Sequence, residues 1–236
     1  MSSPQAPQLP RHVRYLCIEG VLGVGKTALC TLLSEKLGAR LILEEGEENP
    51  FLPGFYKNKK SFAFQTQIWF MLSRYRQLTD SFTQLDLFQE SSVLDYMFAK
   101  DRIFASLNLD ENELAMYNKI VAILERNVPV PDFVVYLQAS TDVLLKRIEK
   151  RGRPFESSVE KDYIDSLNQA YNHFFFHYTA SPLLIINTNE IDFVEFEGDL
   201  DELIKEICRA APGSNYYRPP DSRTRSFLDA KKRGDA

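Results

Sequence analysis

Residues 20–27 read Gly-Val-Leu-Gly-Val-Gly-Lys-Thr and fit the pattern G-x-x-x-x-G-K-[ST]. The apolar run RYLCIEG precedes them and KTALCTLLSEKLG, with leucines at helical spacing, follows. That context restricts the chain to folds in which a buried strand ends in a glycine-rich loop that opens a helix. Glycines let backbone N–H groups close around phosphate oxygens, and the helix N-terminus favours negative charge there. Gly20, Val21, Leu22, Gly23, Val24 and Gly25 form the expected phosphate cradle. Lys26 is placed to reach the β- and γ-phosphates of a nucleotide, and Thr27 to ligate Mg²⁺. A nucleotide site follows from these residues, but not yet a reaction.

Beyond the loop, short apolar runs rich in β-branched or aromatic residues fall at 14–20, 39–45, 91–95, 132–139 and 183–188. Near-continuous apolar runs between helices predict a parallel sheet covered on both faces, hence an α/β sandwich. Helical periodicity covers 26–38, 60–81, 96–106 with 110–126, 141–150, 159–179 and 198–209. Pro4, Pro7 and Pro10 mark residues 1–13 as a flexible N-terminal arm, and residues 14–210 make one domain. From 211 to 236 the chain turns to Pro, Gly, Ser, Arg and Lys, the composition of a flexible, solvated tail.

Composition removes several function classes. A net charge of −5 gives no global basic surface, so no nucleic-acid partner is expected. No run reaches the roughly 18 apolar residues of a membrane span, and the polar start has no apolar targeting core. Three scattered cysteines without C-x-x-C spacing read as reduced thiols, which points to the cytoplasm. The three histidines show no metal spacing.

A regulatory GTPase would add N-K-x-D, which is absent, and an ATPase motor would be larger. A small-molecule kinase instead needs a carboxylate near the acceptor hydroxyl, an acceptor pocket and mobile arginines. Glu44 and Glu45 end the second predicted strand, where ligands gather in parallel sheets; Glu45 points to the other face if the strand continues. In FAFQTQ, on a predicted helix, Gln65 offers a donor and an acceptor side by side, which suits the edge of a base. Arg147 and Arg151 are four apart on one helix face, and Arg153 follows Gly152. They form either a lid over the γ-phosphate or a solvated basic helix end.

The stretches IEGVLGVGKT, LEEGEENPFLPGFY, FAFQTQ, DYMFAKDRIFA, PDFVVYLQAS and KRIEKRGRPFE lie in that order over roughly residues 14–195. Together they resemble the deoxynucleoside kinases, most closely the bacterial deoxyguanosine/deoxyadenosine kinase branch. The resemblance implies a three-layer α/β sandwich of the P-loop nucleoside kinase type, with a five-stranded parallel sheet. It implies ATP-dependent phosphorylation, with Mg²⁺, of a small-molecule deoxynucleoside at its 5′-hydroxyl in nucleotide salvage, and a homodimer. Guanine or adenine is expected, with the choice between them open. By the same resemblance Glu44 is the base, Tyr56 and Glu156 meet the sugar 3′-hydroxyl, and Gln65 holds the nucleobase. Phe104 lies either against the base or in the core. Asp101 and Arg102 either touch the base or form a surface pair.

One stretch departs from the family pattern. Asp95 fills the acidic place near Mg²⁺, but Tyr96 stands where many relatives carry arginine. Lys100, a helical turn further on, can replace that charge. Two rivals remain. One is a nucleoside monophosphate kinase of the thymidylate kinase kind, and the other a non-catalytic subunit that keeps the fold.

Overall fold

The computed structural model describes residues 8–45, 48–83, 91–153, 159–209 and 211–219. Among these residues six parallel strands form one sheet in the order β2-β3-β1-β4-β5-β6. They are β1 (Tyr15–Gly20), β2 (Arg40–Ile42), β3 (Ser92–Leu94), β4 (Phe133–Gln138), β5 (Leu183–Asn187) and β6 (Ser214–Tyr217). The helices are α1 (Lys26–Leu37), α2 (Leu52–Lys57), α3 (Lys59–Thr83), α4 (Asp101–Asn108), α5 (Glu111–Leu124), α6 (Thr141–Arg151), α7 (Lys161–Phe176) and α8 (Glu197–Cys208).

Every residue of β1 is buried, and β4 is buried up to Gln138, so both faces of the central sheet are covered. That is why these runs are apolar without alternation. Helices α3, α4, α5 and α7 pack against one another in one layer. Helix α1 lies against β1, β2 and β3, and Lys36 of α1 pairs with Asp201 of α8.

The sequence leads one to expect five strands, and the sheet has six. The sixth, SNYY, lies in the segment expected as a solvated tail. It is a four-residue edge strand with alternate residues exposed, preceded by Gly213 in the left-handed region (φ +81°). Such a strand carries too little apolar surface to signal itself against Pro and Gly neighbours. Helix α2 is likewise unforeseen, because Pro53 and Gly54 sit inside it. Residues 96–100, expected to be helical, form a turn and a 3₁₀ segment (Phe98–Lys100) before α4 begins.

Register aligns the site. Ile42 pairs with Leu94, and Leu94 with Cys17, so Glu44, Asp95 and the Glu19–Gly20 step emerge together at the carboxyl edge.

Candidate active site

The glycine-rich loop joins β1 to α1. Gly20 (φ +152°) has no room for a side chain, since a Cβ there would lie 2.5 Å from the Leu137 carbonyl oxygen. Gly25 (φ +106°) precedes α1, and its Cβ would meet the Phe193 ring at 2.9 Å. No side chain caps the start of α1, which leaves its first amides to an anion. Lys26 Nζ folds over the loop and donates to the Gly20 carbonyl at 2.7 Å and to that of Val21 at 3.4 Å. Thr27 Oγ1 donates to Asp95 Oδ2 at 2.7 Å, and the Glu44 amide donates to Asp95 Oδ1 at 2.7 Å. A hydroxyl and a carboxylate side by side at a helix N-terminus are the oxygen donors Mg²⁺ takes when phosphates supply the rest. The residues present therefore fit that ion.

Glu44 is bracketed by cations. Arg74 Nε donates to its Oε1 at 2.5 Å, and Lys100 Nζ to its Oε2 at 2.8 Å. Burial alone would push the Glu44 carboxyl up, but Arg74 and then Lys100 outweigh it and hold it at about 2. Burial likewise disfavours the Lys100 charge, and Glu44, then Glu19, hold its pKa above the ordinary value. Arg74 Nη1 also donates to Asp101 Oδ1, and Tyr117 donates to Asp101 Oδ2 at 2.8 Å. Asp101 is fully buried, and here burial prevails over Arg74 and raises the carboxyl. The two carboxylates share one guanidinium, but Glu44 also holds Lys100, which explains their opposite directions.

A cavity of about 390 Å³ is lined by Lys26, Thr27 and Asp95, by Glu44 and Lys100, and by Gln67, Arg74 and Phe104. Tyr56 is part of its lining. Tyr163 also lines it, with Lys59 Nζ 3.8 Å from the ring centre. Arg151 and Arg153 reach its wall from the end of α6. Glu45 turns towards Gln77, which donates to it at 3.3 Å.

Several expected residues lie elsewhere. Gln65 is exposed and does not line the cavity; Gln67, two positions on, is buried, lines it, and donates to the Asp101 carbonyl at 2.9 Å. Two positions on a helix are a rotation of about 200°, so the two glutamines face opposite ways. Asp101 stands behind Arg74 rather than in the wall, and Arg102 pairs with Glu125 on the surface. Arg147 does not line the cavity. Its guanidinium donates to the Val24 carbonyl (3.3 Å), the Thr188 hydroxyl (3.1 Å) and carbonyl (2.8 Å), and the Ile191 carbonyl (3.2 Å). It thereby knits the phosphate loop to the loop after β5. Tyr96 is fully buried and donates to Gln77, so it belongs to the core, and the cation at Glu44 comes from Lys100. Phe104 lines the cavity and also packs edge-on to Tyr171 at 6.1 Å. Glu156 lies outside the described residues.

Comparison with known proteins places the chain among nucleoside-phosphorylating relatives. The sequence profile of a family described as Deoxynucleoside kinase matches residues 16–211. A deoxyguanosine kinase of Bacillus subtilis (strain 168) is 41% identical over 157 residues, covering 66% of this chain and 76% of its own. A deoxyadenosine kinase of Lactobacillus acidophilus is 31% identical over 209 residues, covering 83% and 95%. Among solved structures, deoxyadenosine kinase from M. mycoides with bound dATP superposes with a TM-score of 0.71 at 26% identity, covering 83% of this chain and 99% of that one. The same enzyme with dCMP and a flexible dCDP gives 0.71 at 25% identity, covering 81% and 97%.

Proposed function

The chain belongs to the deoxynucleoside kinase family, and we propose that it moves the terminal phosphate of ATP to the 5′-hydroxyl of a purine deoxynucleoside. The observation that carries this reading is the position of Glu44. It lines one cavity together with Lys26 and Thr27 of the phosphate loop and with Gln67 and Phe104, and Arg74 and Lys100 each hold one of its oxygens. A base must touch both the acceptor hydroxyl and the line of transfer, and that position allows both.

The 5′-oxygen bonds to the γ-phosphorus as the bond from phosphorus to the β–γ bridging oxygen breaks. The hydroxyl proton passes to Glu44, and the electron pair leaves on the nucleoside diphosphate. Lys26, Arg151 and Arg153 answer the charge that spreads over the transferring group. Thr27 and Asp95 would hold Mg²⁺, which supplies further neutralisation when bound. A carboxylate held at about 2 is a weak base but a well oriented one. As the acceptor draws hydrogen bonds from Arg74 and Lys100, Glu44 gains basicity at the moment it is needed. Gln67 reads the base, and Tyr56 meets the sugar. Purine preference is supported by the relatives' names, deoxyguanosine and deoxyadenosine kinase.

A homodimer is supported by Met116 and Ile123, which stand exposed seven apart on one face of α5. Unpaired Cys17, Cys30 and Cys208 suit the cytoplasm, and no described helix is long and apolar enough to cross a membrane.

The test is ATP consumption with dGuo, dAdo, dCyd, dThd and dTMP offered separately, with Lys26→Ala as the blank. Turnover of a purine deoxynucleoside is expected. Turnover of dTMP alone would make the chain a monophosphate kinase, and ATP binding without any turnover would make it a non-catalytic subunit.

A further inference from the structure

Glu19 is fully buried near the end of β1, and the transfer chemistry above does not use it. A carboxylate in the central strand of a sheet is costly unless its lone pairs and its charge are both answered. Two backbone amides answer the lone pairs: Met97 N donates to Oε1 at 2.9 Å and Gly20 N to Oε2 at 3.1 Å. These amides belong to the two segments that carry opposite halves of the site. Gly20 opens the loop with Lys26 and Thr27, whereas Met97 lies between Asp95 and the turn with Lys100.

The charge is answered less fully: burial raises the Glu19 carboxyl above its ordinary value, and Lys100, then Lys26, oppose that rise. Among the described residues no cation bonds to Glu19 directly. The cations it faces are Lys100 and Lys26, which donate instead to Glu44 and to the loop carbonyls. After burial, Lys100 is what most disfavours charge on Lys26; Glu19 is the first anion to offset it, ahead of Asp95 and Glu44. Tyr136 from β4 and Tyr171 from α7 also face Glu19, and neither brings a positive charge.

We propose that Glu19 is a positioning residue of the phosphoryl-transfer site: its carboxylate ties the phosphate loop to the turn after β3 and supplies the anion that lets a half-buried donor-side lysine and a buried acceptor-side lysine share one site. The inference rests on the kinase reading of that site. A glutamine at 19 would keep an acceptor for the Met97 amide. It would set an NH₂ against the Gly20 amide and leave Lys26 and Lys100 with one anion fewer.

The native enzyme is compared with Glu19→Gln, Lys100→Met and the double variant. Melting temperature, ATP affinity by calorimetry, kcat, and KM for the deoxynucleoside are measured. Glu19→Gln is expected to lose about 10- to 100-fold in kcat, the cost of displacing reacting groups by a fraction of an ångström, with KM for the deoxynucleoside within about twofold. The double variant is expected to be no slower than Lys100→Met alone, because the lost anion and lost cation offset each other. A Glu19→Gln kcat within about twofold of native, or losses that multiply independently in the double variant, would overturn the proposal. If Glu19→Gln does not fold, a folded double variant supports the charge role, and a double variant that also fails overturns it. Weaker ATP binding by Glu19→Gln, in a protein whose native form phosphorylates no deoxynucleoside, would sink the kinase reading and leave the role of Glu19 at the phosphate loop standing.

Discussion

Arg74→Met is the substitution whose consequence can be worked furthest. Arg74 is 4% exposed and bridges Glu44 and Asp101, the second of which is fully buried. Methionine keeps the apolar stem and removes the guanidinium, so both carboxylates lose a partner while the packing survives. Breaking a buried pair by removing one member costs about 3–5 kcal/mol, because an uncompensated charge stays inside. In a chain of this size about 1 kcal/mol moves the melting temperature by roughly 2–4 °C, so a fall of about 6–20 °C is expected at neutral pH. Adding Asp101→Asn removes the more deeply buried of the two stranded charges and should recover about half of that loss. The pH dependence has a definite sign. Glu44 is depressed from 4.5 to about 2, so its stabilisation is present above 4.5 and lost as pH falls towards 2. Arg74→Met removes part of that contribution, and the native and variant melting curves should therefore converge on acidification through this window. Circular dichroism melts across pH would check it. A melting temperature within about 3 °C of native at neutral pH, or a further fall on adding Asp101→Asn, would refute the reasoning.

Glu44→Gln should lower kcat by about 10²-fold or more if it removes general-base help, and steady-state rates with saturating deoxynucleoside would show it. An unchanged rate would remove Glu44 from that role. Gln67→Ala should raise KM for the deoxynucleoside roughly tenfold, the worth of one hydrogen bond of about 1–1.5 kcal/mol, and leave KM for ATP alone. Gln65→Ala, on the exposed face of α3, should change neither constant. Tyr171→Phe should leave the melting temperature unchanged or higher, because the buried hydroxyl has no partner to lose among the described residues. A fall of more than about 3 °C would show a bond that the structure does not contain.

How much of this was legible in the sequence depends on how far each signal travels along the chain. The phosphate loop is local: its glycines, lysine and threonine stand within eight residues and need only the strand before and the helix after. Glu44 and Asp95 were legible because each closes an apolar run, and the ends of parallel strands share one edge. The cation network around Glu44 was not, since its members lie 27, 30 and 56 residues apart and meet only when α3 and α4 pack. Arg147 misled for a related reason. Its spacing to Arg151 sets a common helix face but not which turn lies over the phosphate loop, where carbonyls capture the guanidinium.

Gln65 and Arg74 show what a closer reading of period would yield. On α3 the buried stripe is Ala63, Gln67, Met71, Arg74 and Leu78, at steps of four, four, three and four. That is the helical period, and Gln65 falls off it, whereas Gln67 falls on it. A charged residue in an otherwise buried stripe must be answered by opposite charge, because no helix of a folded domain keeps a lone guanidinium inside. Arg74 therefore predicts, from phase alone, a carboxylate facing α3. Two such carboxylates meet it, Glu44 and Asp101.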